Sequence, residues 1–311
     1  MNLLFIFFGF LLLVIGGEFI VRSSVAISLK FKISKLVIGM TVVAFATSLP
    51  ELIVSVNAAL NNSPAIAINN VIGSNIANIA LVLSIISILS FIKVDKNFYR
   101  QDWPIMFGFS ILLTAFCITD RALSQMEGVI LVSSLFFFIY FSLKKSNNEL
   151  IVDDVDDKLV STSNTKIIIW LIISTVSLYF GAEFLVNGAV NFAKQINISE
   201  AVISVSIVAI GTSIPELAAS LIAIAKKEKG ISVGNLIGSN IFNIGSVLGI
   251  TAIIKPIQIA QEIIERDLIW MLFFALLLLF MAILPKRNVL GKLKGFAMLL
   301  LYFTFITLAF I

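Results

Sequence analysis

The 311-residue chain contains no histidine and a single cysteine, Cys117. The lack of histidine excludes a His-ligated metal centre and a histidine proton relay within the chain. One cysteine excludes an internal disulfide framework and a cysteine-rich metal site. We interpret Cys117 as a small apolar residue in a helix.

Charged residues are also scarce, at 13% of the chain, whereas 59% of the residues are hydrophobic. A soluble protein of this size could not hide so much apolar surface, so the composition predicts an all-α polytopic membrane protein. The alternating pattern of an outer-membrane barrel is absent. The net charge of +4 is explained by basic cytoplasmic loops and indicates no nucleic-acid partner.

We predict ten apolar transmembrane helices. The first apolar run has no basic leader and no small-residue cleavage site, so we interpret it as a membrane helix rather than a signal peptide. The predicted spans are roughly 2–21, 36–60, 66–91, 103–120, 127–143, 166–190, 201–225, 231–254, 268–284 and 294–311.

One long polar segment, 144–165, separates two halves of five helices each, 1–143 and 166–311. It contains an acidic cluster at 153–157, which lacks the alternating ligands, central glycine and final glutamate of an EF-hand loop. We therefore interpret this segment as a solvated linker rather than a regulatory Ca²⁺ site.

The two halves repeat one another. The run Ala46-Thr47-Ser48-Leu49-Pro50-Glu51 recurs as Gly211-Thr212-Ser213-Ile214-Pro215-Glu216, at an offset of 165 residues (216 − 51). The run Gly73-Ser74-Asn75-Ile76-Ala77-Asn78 recurs at the same offset as Gly238-Ser239-Asn240-Ile241-Phe242-Asn243. No gap is needed across the first three helices of each half, so the chain contains an internal duplication.

The distribution of basic residues predicts how the halves are oriented. Of the 22 Lys and Arg residues, 18 fall on one side of the predicted membrane, and only Arg121, Lys194, Lys255 and Arg266 fall on the other. The basic side is predicted to be cytoplasmic, which places both termini outside and the 144–165 loop inside. Because five is an odd number, the second half enters the membrane from the opposite side. The sequence therefore predicts two inverted five-helix repeats, an architecture of secondary transporters.

The duplicated run that ends in proline and glutamate contains two residue types that are energetically unfavourable inside a membrane. Pro50 lacks an N–H and clashes with the preceding turn, so a helix here must kink or break and leave carbonyls to be satisfied. Glu51 is expensive in hydrocarbon unless a cation or a cavity faces it. A cation site at mid-membrane explains both features.

Helical spacing places further oxygen groups beside each glutamate, since residues three or four apart share a face. Oxygen donors suit hard cations such as Ca²⁺ and Na⁺, and Mg²⁺ less well because it retains its waters. Glu18 and Glu183 are weaker candidates, because pairing with basic residues explains them equally well. Asn75 and Asn240 are explained as well by helix packing as by ligation. The candidate side chains are Thr47, Ser48, Glu51, Ser74 and Asn78 in the first half, and Thr212, Ser213, Glu216, Ser239 and Asn243 in the second.

The paired motifs resemble the two alpha-repeats of the cation/Ca²⁺ exchanger superfamily, and ten spans without a large insertion look most like the prokaryotic Na⁺/Ca²⁺ exchangers. The resemblance implies alternating access, with Glu51 and Glu216 as central ligands for both ions. It further implies Ca²⁺ contacts from the carbonyls of Thr47 and Thr212. Implied Na⁺ ligands and residues lining the middle of the site are Ser48, Ser74, Ser213, Ser239, Asn78, Asn243 and the carbonyls of Ala44 and Ala209.

Two positions depart from the pattern. Some relatives carry Asp where this chain has Asn243, which leaves one titratable group fewer. Ala46 lies where the second repeat has Gly211. We expect its methyl group to reduce the space at the helix break of the first repeat.

The resemblance implies a Na⁺/Ca²⁺ antiporter of the cell membrane that needs no cofactor and no protein partner beyond membrane lipid. A H⁺/Ca²⁺ or K⁺-dependent exchanger of the same fold stays open as an alternative. A passive cation channel is a rival from another class, since glutamates and carbonyls also build filters. An enzyme is disfavoured, because no nucleophile, histidine or phosphate-binding arrangement accompanies the carboxylates.

Overall fold

A computed structural model of the protein describes residues 2–146, 157–196, 211–285 and 287–309. These residues are mostly helical, which confirms the all-α class. In chain order the helices are α1 (Asn2–Phe31), α2 (Lys35–Thr47), α3 (Leu49–Leu60), α4 (Ala65–Leu89), α5 (Phe98–Asp120), α6 (Gln125–Ser146), α7 (Asp157–Val160), α8 (Asn164–Gln195), α9 (Ile214–Ala225), α10 (Lys229–Ile254), α11 (Ile263–Ile283) and α12 (Lys292–Ala309). Four short strands are β1 (Ile92–Lys93), β2 (Ala122–Leu123), β3 (Ile257–Gln258) and β4 (Val289–Leu290).

Seven of the described helices are individually long and apolar enough to cross a membrane. The count is eight if α2 and α3, which meet at a 42° bend, form one broken span. Large apolar side chains such as Phe10 and Phe137 remain exposed, as expected for a surface that faces lipid. The polytopic membrane class is thus confirmed, and the total of ten crossings stays a prediction.

α1 is longer than its predicted span of 2–21. It continues to Phe31 because Val25 and Ala26 keep a buried face beyond the most apolar stretch. Tertiary packing, rather than hydropathy alone, therefore sets where this helix ends.

The contacts divide the chain into two compact units, and neither coincides with one sequence repeat. The first unit contains Met1–Leu49 and Phe141–Asn235, and the second contains Pro50–Tyr140 and Leu236–Ile311. Each unit thus combines residues from both halves of the chain. The division into repeats at 1–143 and 166–311 stays a prediction.

In the first unit, α1 and α8 approach each other backbone to backbone. A Cβ added at Gly9 would lie 2.5 Å from the Leu185 nitrogen, and one added at Gly16 would lie 2.9 Å from the Leu178 nitrogen. Glycine is required there because small residues allow close helix contact in a membrane. Beside this pair, a core cluster draws residues from α1, α2, α8, α9 and α10, among them Ile20, Val43, Leu178, Ala219 and Ile231.

In the second unit, the strands join loops from the two halves of the chain. β1 pairs antiparallel with β4, and β2 pairs antiparallel with β3. Ile92 of β1 and Ile257 of β3 are separated by the same 165 residues as the sequence repeat (257 − 92). The two pairings are what a repeat with two-fold symmetry produces, since each strand pairs with a strand from the opposite half.

Wide π-type turns follow the same offset. They begin at Asn78 in α4 and Asn243 in α10, and again at Phe98 in α5 and Ile263 in α11. Both pairs are 165 residues apart, so the structural repeat continues into the fourth helix of each half, beyond the stretch where the sequences match closely.

Candidate functional site

The serine of each duplicated motif has non-helical backbone angles and lies just before a helix. Ser48, between α2 and α3, has φ −86° and ψ 0°, and Ser213, just before α9, has φ −90° and ψ 6°. These angles fall in the sparsely populated region between helix and strand, where active-site residues are often found. Pro50 and Pro215 follow two residues later, in the first turn of the next helix, where a missing N–H costs little.

Glu216 is fully buried in the first turn of α9, within the first unit. Asn235 of α10 donates from its side-chain nitrogen to the Glu216 carbonyl at 3.4 Å and to the Ser220 hydroxyl at 3.1 Å. The Thr47 hydroxyl lies 3.1 Å from the Asn235 side-chain oxygen. These contacts fix the backbone that carries the Glu216 carboxylate and connect it to the end of α2.

Glu51 has the corresponding environment in the second unit. It is 1% exposed in the first turn of α3. Asn70 of α4 donates to the Glu51 carbonyl at 3.5 Å and to the Ser55 hydroxyl at 3.2 Å. Each glutamate is therefore held through its own carbonyl by an asparagine of the following helix.

The sequence analysis did not predict the asparagines and serines that make these hydrogen bonds. Asn70 matches Asn235 and Ser55 matches Ser220 at the 165-residue offset. Asn70 also lies one helical turn before Ser74, as Asn235 does before Ser239. Both the repeat and the helical spacing therefore indicated these asparagines, which lie one turn before the serines of the second motif.

We expect Asn235→Ala to destabilise the protein more than Asn70→Ala. Both variants lose bonds to a glutamate carbonyl and a serine hydroxyl, and Asn235 additionally accepts from the Thr47 hydroxyl among the residues that the structure describes. Buried side-chain bonds contribute about 1 kcal/mol each, which is the expected difference in unfolding free energy between the variants. Denaturation of the purified proteins in detergent micelles measures it, and equal losses would contradict the assigned contacts.

Both predicted asparagines, Asn78 and Asn243, are fully buried and begin the π-type turns of α4 and α10. Turns of this kind are frequent at functional sites. Neither polar atom of the Asn78 side chain has a hydrogen-bond partner among the described residues, and the same holds for the Asn243 oxygen. Two buried amides thus keep oxygen available for a ligand.

The predicted serines and threonines are placed as follows. Ser48, Ser74, Ser213 and Ser239 are all buried, and the hydroxyls of Ser48 and Ser213 lack a hydrogen-bond partner within the described ranges. Thr47 is buried, whereas Thr212 is half-buried. The Ala44 carbonyl accepts the Ser48 N–H at 2.9 Å, and Ala209 lies outside the described residues.

The two weaker acidic candidates, Glu18 and Glu183, lie in different environments. Glu18 lies 2.5 Å from Arg22 and 2.8 Å from Lys226, so it is paired with basic residues. Glu183 is exposed. The acidic cluster at 153–157 falls almost wholly outside the described residues, and the described side chains form no group of three or more His, Cys, Asp or Glu that could hold a metal ion. Among the described residues, the motif glutamates are therefore not part of a larger acidic cluster.

Comparison with known proteins agrees with these features. The chain matches the sodium/calcium exchanger protein family over residues 1–144 and 166–311. It is 33% identical to CaxA of Alkalimonas amylolytica over 305 residues, which cover 96% of this chain and 95% of that protein. It is 29% identical over 297 residues to the sodium/calcium exchanger MaX1 of Methanosarcina acetivorans, an alignment that covers 84% of this chain and 85% of MaX1.

The fold is also similar to a solved structure of the sodium-calcium exchanger NCX_Mj, soaked with 10 mM Na⁺ and 10 mM Sr²⁺. The TM-score is 0.82 at 32% sequence identity, over 98% of this chain and 97% of that one. The family match spans both halves of the chain and omits only the polar linker, and its members are transporters rather than enzymes. The chain therefore belongs to the sodium/calcium exchanger protein family.

Proposed function

We propose that this protein is an antiporter that exchanges Na⁺ for Ca²⁺ across the cell membrane, with Glu51 and Glu216 as ligands shared by both ions. The observation that carries the proposal is the matched pair of buried glutamates. Each lies in the first turn of a helix, and each is held through its carbonyl by an asparagine. A carboxylate buried in a membrane span marks an ion path.

The chemistry of the remaining groups supports hard cations. Ca²⁺ takes six to eight oxygens in a flexible arrangement, and two carboxylates neutralise its charge. Hydroxyls and carbonyls suit Na⁺ in the same way. The proposed further ligands are Ser48, Ser74, Ser213, Ser239, Asn78, Asn243 and the carbonyls of Ala44, Thr47, Ala209 and Thr212.

We propose that transport proceeds by alternating access, in which α1 and α8 move together. The glycine contacts between these helices support their moving as a pair. Where α1 meets α9, the Ile222 side chain packs against Gly17. The proposed movement of the α1–α8 pair past this contact is a small sliding of packed helices, as in shear motions.

The exchange mechanism makes a direct prediction for flux. Ca²⁺ flux through proteoliposomes should saturate with Ca²⁺ and should require a counter-ion on the opposite side of the membrane. A passive channel needs no counter-ion, because each ion crosses independently. Ca²⁺ flux that persists with only an impermeant cation, such as N-methyl-D-glucamine, on the opposite side would replace the antiporter with a channel.

The orientation is proposed from the basic residues. Both termini lie outside the cell and the 144–165 loop lies in the cytoplasm, because 18 of the 22 Lys and Arg residues fall on that side. An alkaline phosphatase fused to the C-terminus should be active in intact bacterial cells. An inactive fusion that is fully expressed would reverse the orientation.

A further inference from the structure

Three of the four asparagines of the motifs, Asn75, Asn240 and Asn243, form an asymmetric network in the second unit. The Asn75 side-chain nitrogen donates to the Asn240 carbonyl at 3.2 Å, and the Asn75 side-chain oxygen accepts from the Asn243 nitrogen at 3.2 Å. Asn240 occupies the matching position in the second repeat, yet it donates to the Leu236 carbonyl of its own helix at 2.8 Å. The repeated sequence therefore makes two different sets of contacts.

The direction of each amide in this network follows from its first acceptor. A backbone carbonyl only accepts, so Asn75 must turn its nitrogen toward Asn240 and its oxygen toward Asn243. That oxygen also only accepts, so Asn243 must turn its nitrogen toward Asn75. The Asn243 oxygen is left pointing away from this contact, fully buried and without a hydrogen-bond partner among the described residues.

We infer that Asn75 is a positioning residue for ion binding, because it fixes the Asn243 amide with its oxygen available to the cation. This inference rests on the proposed function, in which Asn243 contributes to the ion site. The oxygen of a neutral amide can bind a cation, whereas its NH₂ group repels one. The orientation of the amide therefore decides whether it can act as a ligand. Asn78 has no such partner in the described chain, and neither of its amide atoms is bonded.

Asn75 can orient the side chain at position 243 only if that side chain is an amide. A carboxylate there would present two accepting oxygens, and one of them would face the accepting oxygen of Asn75. With Asn243, the same contact is a normal hydrogen bond. Asn75 and Asn243 therefore form a matched pair, and the matching sets which end of the Asn243 amide reaches the ion.

Binding of ⁴⁵Ca²⁺ to the purified protein in Na⁺-free detergent tests the inference. We expect Asn75→Ala to raise the dissociation constant for Ca²⁺ about tenfold, because partners that orient a metal ligand typically contribute 10- to 100-fold in affinity. Asn240→Ala is the matched control. Asn240 is the same residue type at the same repeat position, and it is 2% exposed against 1% for Asn75. Its substitution should change the Ca²⁺ dissociation constant less than twofold.

A double-variant cycle separates positioning from helix packing. If Asn75 acts through Asn243, then Asn75→Ala/Asn243→Ala should bind Ca²⁺ as Asn243→Ala alone does. Equal effects of Asn75→Ala and Asn240→Ala, or additive effects of Asn75→Ala and Asn243→Ala, would overturn the inference. If Asn75→Ala is not recovered as a monodisperse protein, Asn75→Ser replaces it with the same expectation, since its hydroxyl is too short to span both bonds.

The single variant Asn243→Ala distinguishes this inference from the proposed function. If it weakens Ca²⁺ binding while Asn75→Ala does not, only the positioning role fails. If Asn243→Ala leaves Ca²⁺ binding unchanged, Asn243 is removed from the proposed ligands and the positioning role falls with it. The assay uses no ion gradient, so its result is independent of which ion drives transport.

Discussion

We expect Glu216→Gln to abolish Ca²⁺ exchange, and we expect the same of Glu51→Gln. Each substitution keeps the size of a buried side chain and removes its negative charge. Losing one partner of a buried charge pair costs about 3–5 kcal/mol, which corresponds to a fall of at least about 100-fold in Ca²⁺ affinity. Ca²⁺ uptake into Na⁺-loaded proteoliposomes, measured at a fixed Ca²⁺ concentration, should therefore fall to the background of empty vesicles.

Glu262→Gln provides the matched control, because Glu262 is an exposed glutamate just before α11. Its substitution removes the same charge and should leave uptake within twofold of the unmodified protein. Retention of exchange in either Glu51→Gln or Glu216→Gln, at equal reconstitution, would refute the role proposed for these carboxylates. Loss in all three variants would point to a general effect of charge and would equally contradict the proposal.

We expect Gly234→Ala to prevent the protein from reaching its native fold. A Cβ added at Gly234 would collide with the Leu36 carbonyl oxygen and lie 2.9 Å from the Met40 nitrogen. From the other side, a Cβ added at Gly39 would lie 2.5 Å from the Ile231 carbonyl oxygen. The obstacles are backbone atoms, which cannot move aside as a side chain does, so we expect a cost of about 3 kcal/mol or more.

Size-exclusion chromatography and thermal unfolding of the purified variant measure this effect. The expected result is aggregated protein, or a large fall in the unfolding temperature. Gly108→Ala is the control, since a Cβ there meets no atom within 4 Å and alanine favours a helix. A Gly234→Ala protein as stable as Gly108→Ala would contradict the close contact of α2 with the start of α10.

Residue types that are costly in hydrocarbon made much of the site predictable. Pro50 and Glu51 inside an apolar run, and their recurrence as Pro215 and Glu216, predicted a helix break and a buried carboxylate in each half. The structure contains the break at Ser48 and both buried carboxylates, and the residues 197–210 that would precede a second break lie outside the described ranges. The break falls at the serine two residues before the proline, because proline is tolerated in the first turn of a new helix.

Contacts between helices set the features that the sequence analysis did not predict. The bonds from Asn70 and Asn235 to the glutamate carbonyls depend on how neighbouring helices pack. The continuation of α1 to Phe31 depends on packing in the same way. The different contacts of Asn75 and Asn240 were unpredictable for a further reason. Two identical repeat positions give identical expectations, and only the surrounding structure makes them unequal.

The coupling ion is the central claim, and one measurement tests it most directly. Proteoliposomes loaded with Na⁺ are diluted into Na⁺-free buffer that contains ⁴⁵Ca²⁺, with and without a proton uncoupler, and are compared with Na⁺-free vesicles carrying a pH gradient. Na⁺/Ca²⁺ exchange predicts Ca²⁺ uptake that requires internal Na⁺ and persists with the uncoupler. Uptake that follows the pH gradient and ignores Na⁺ would contradict it and would assign the same glutamates to H⁺/Ca²⁺ exchange.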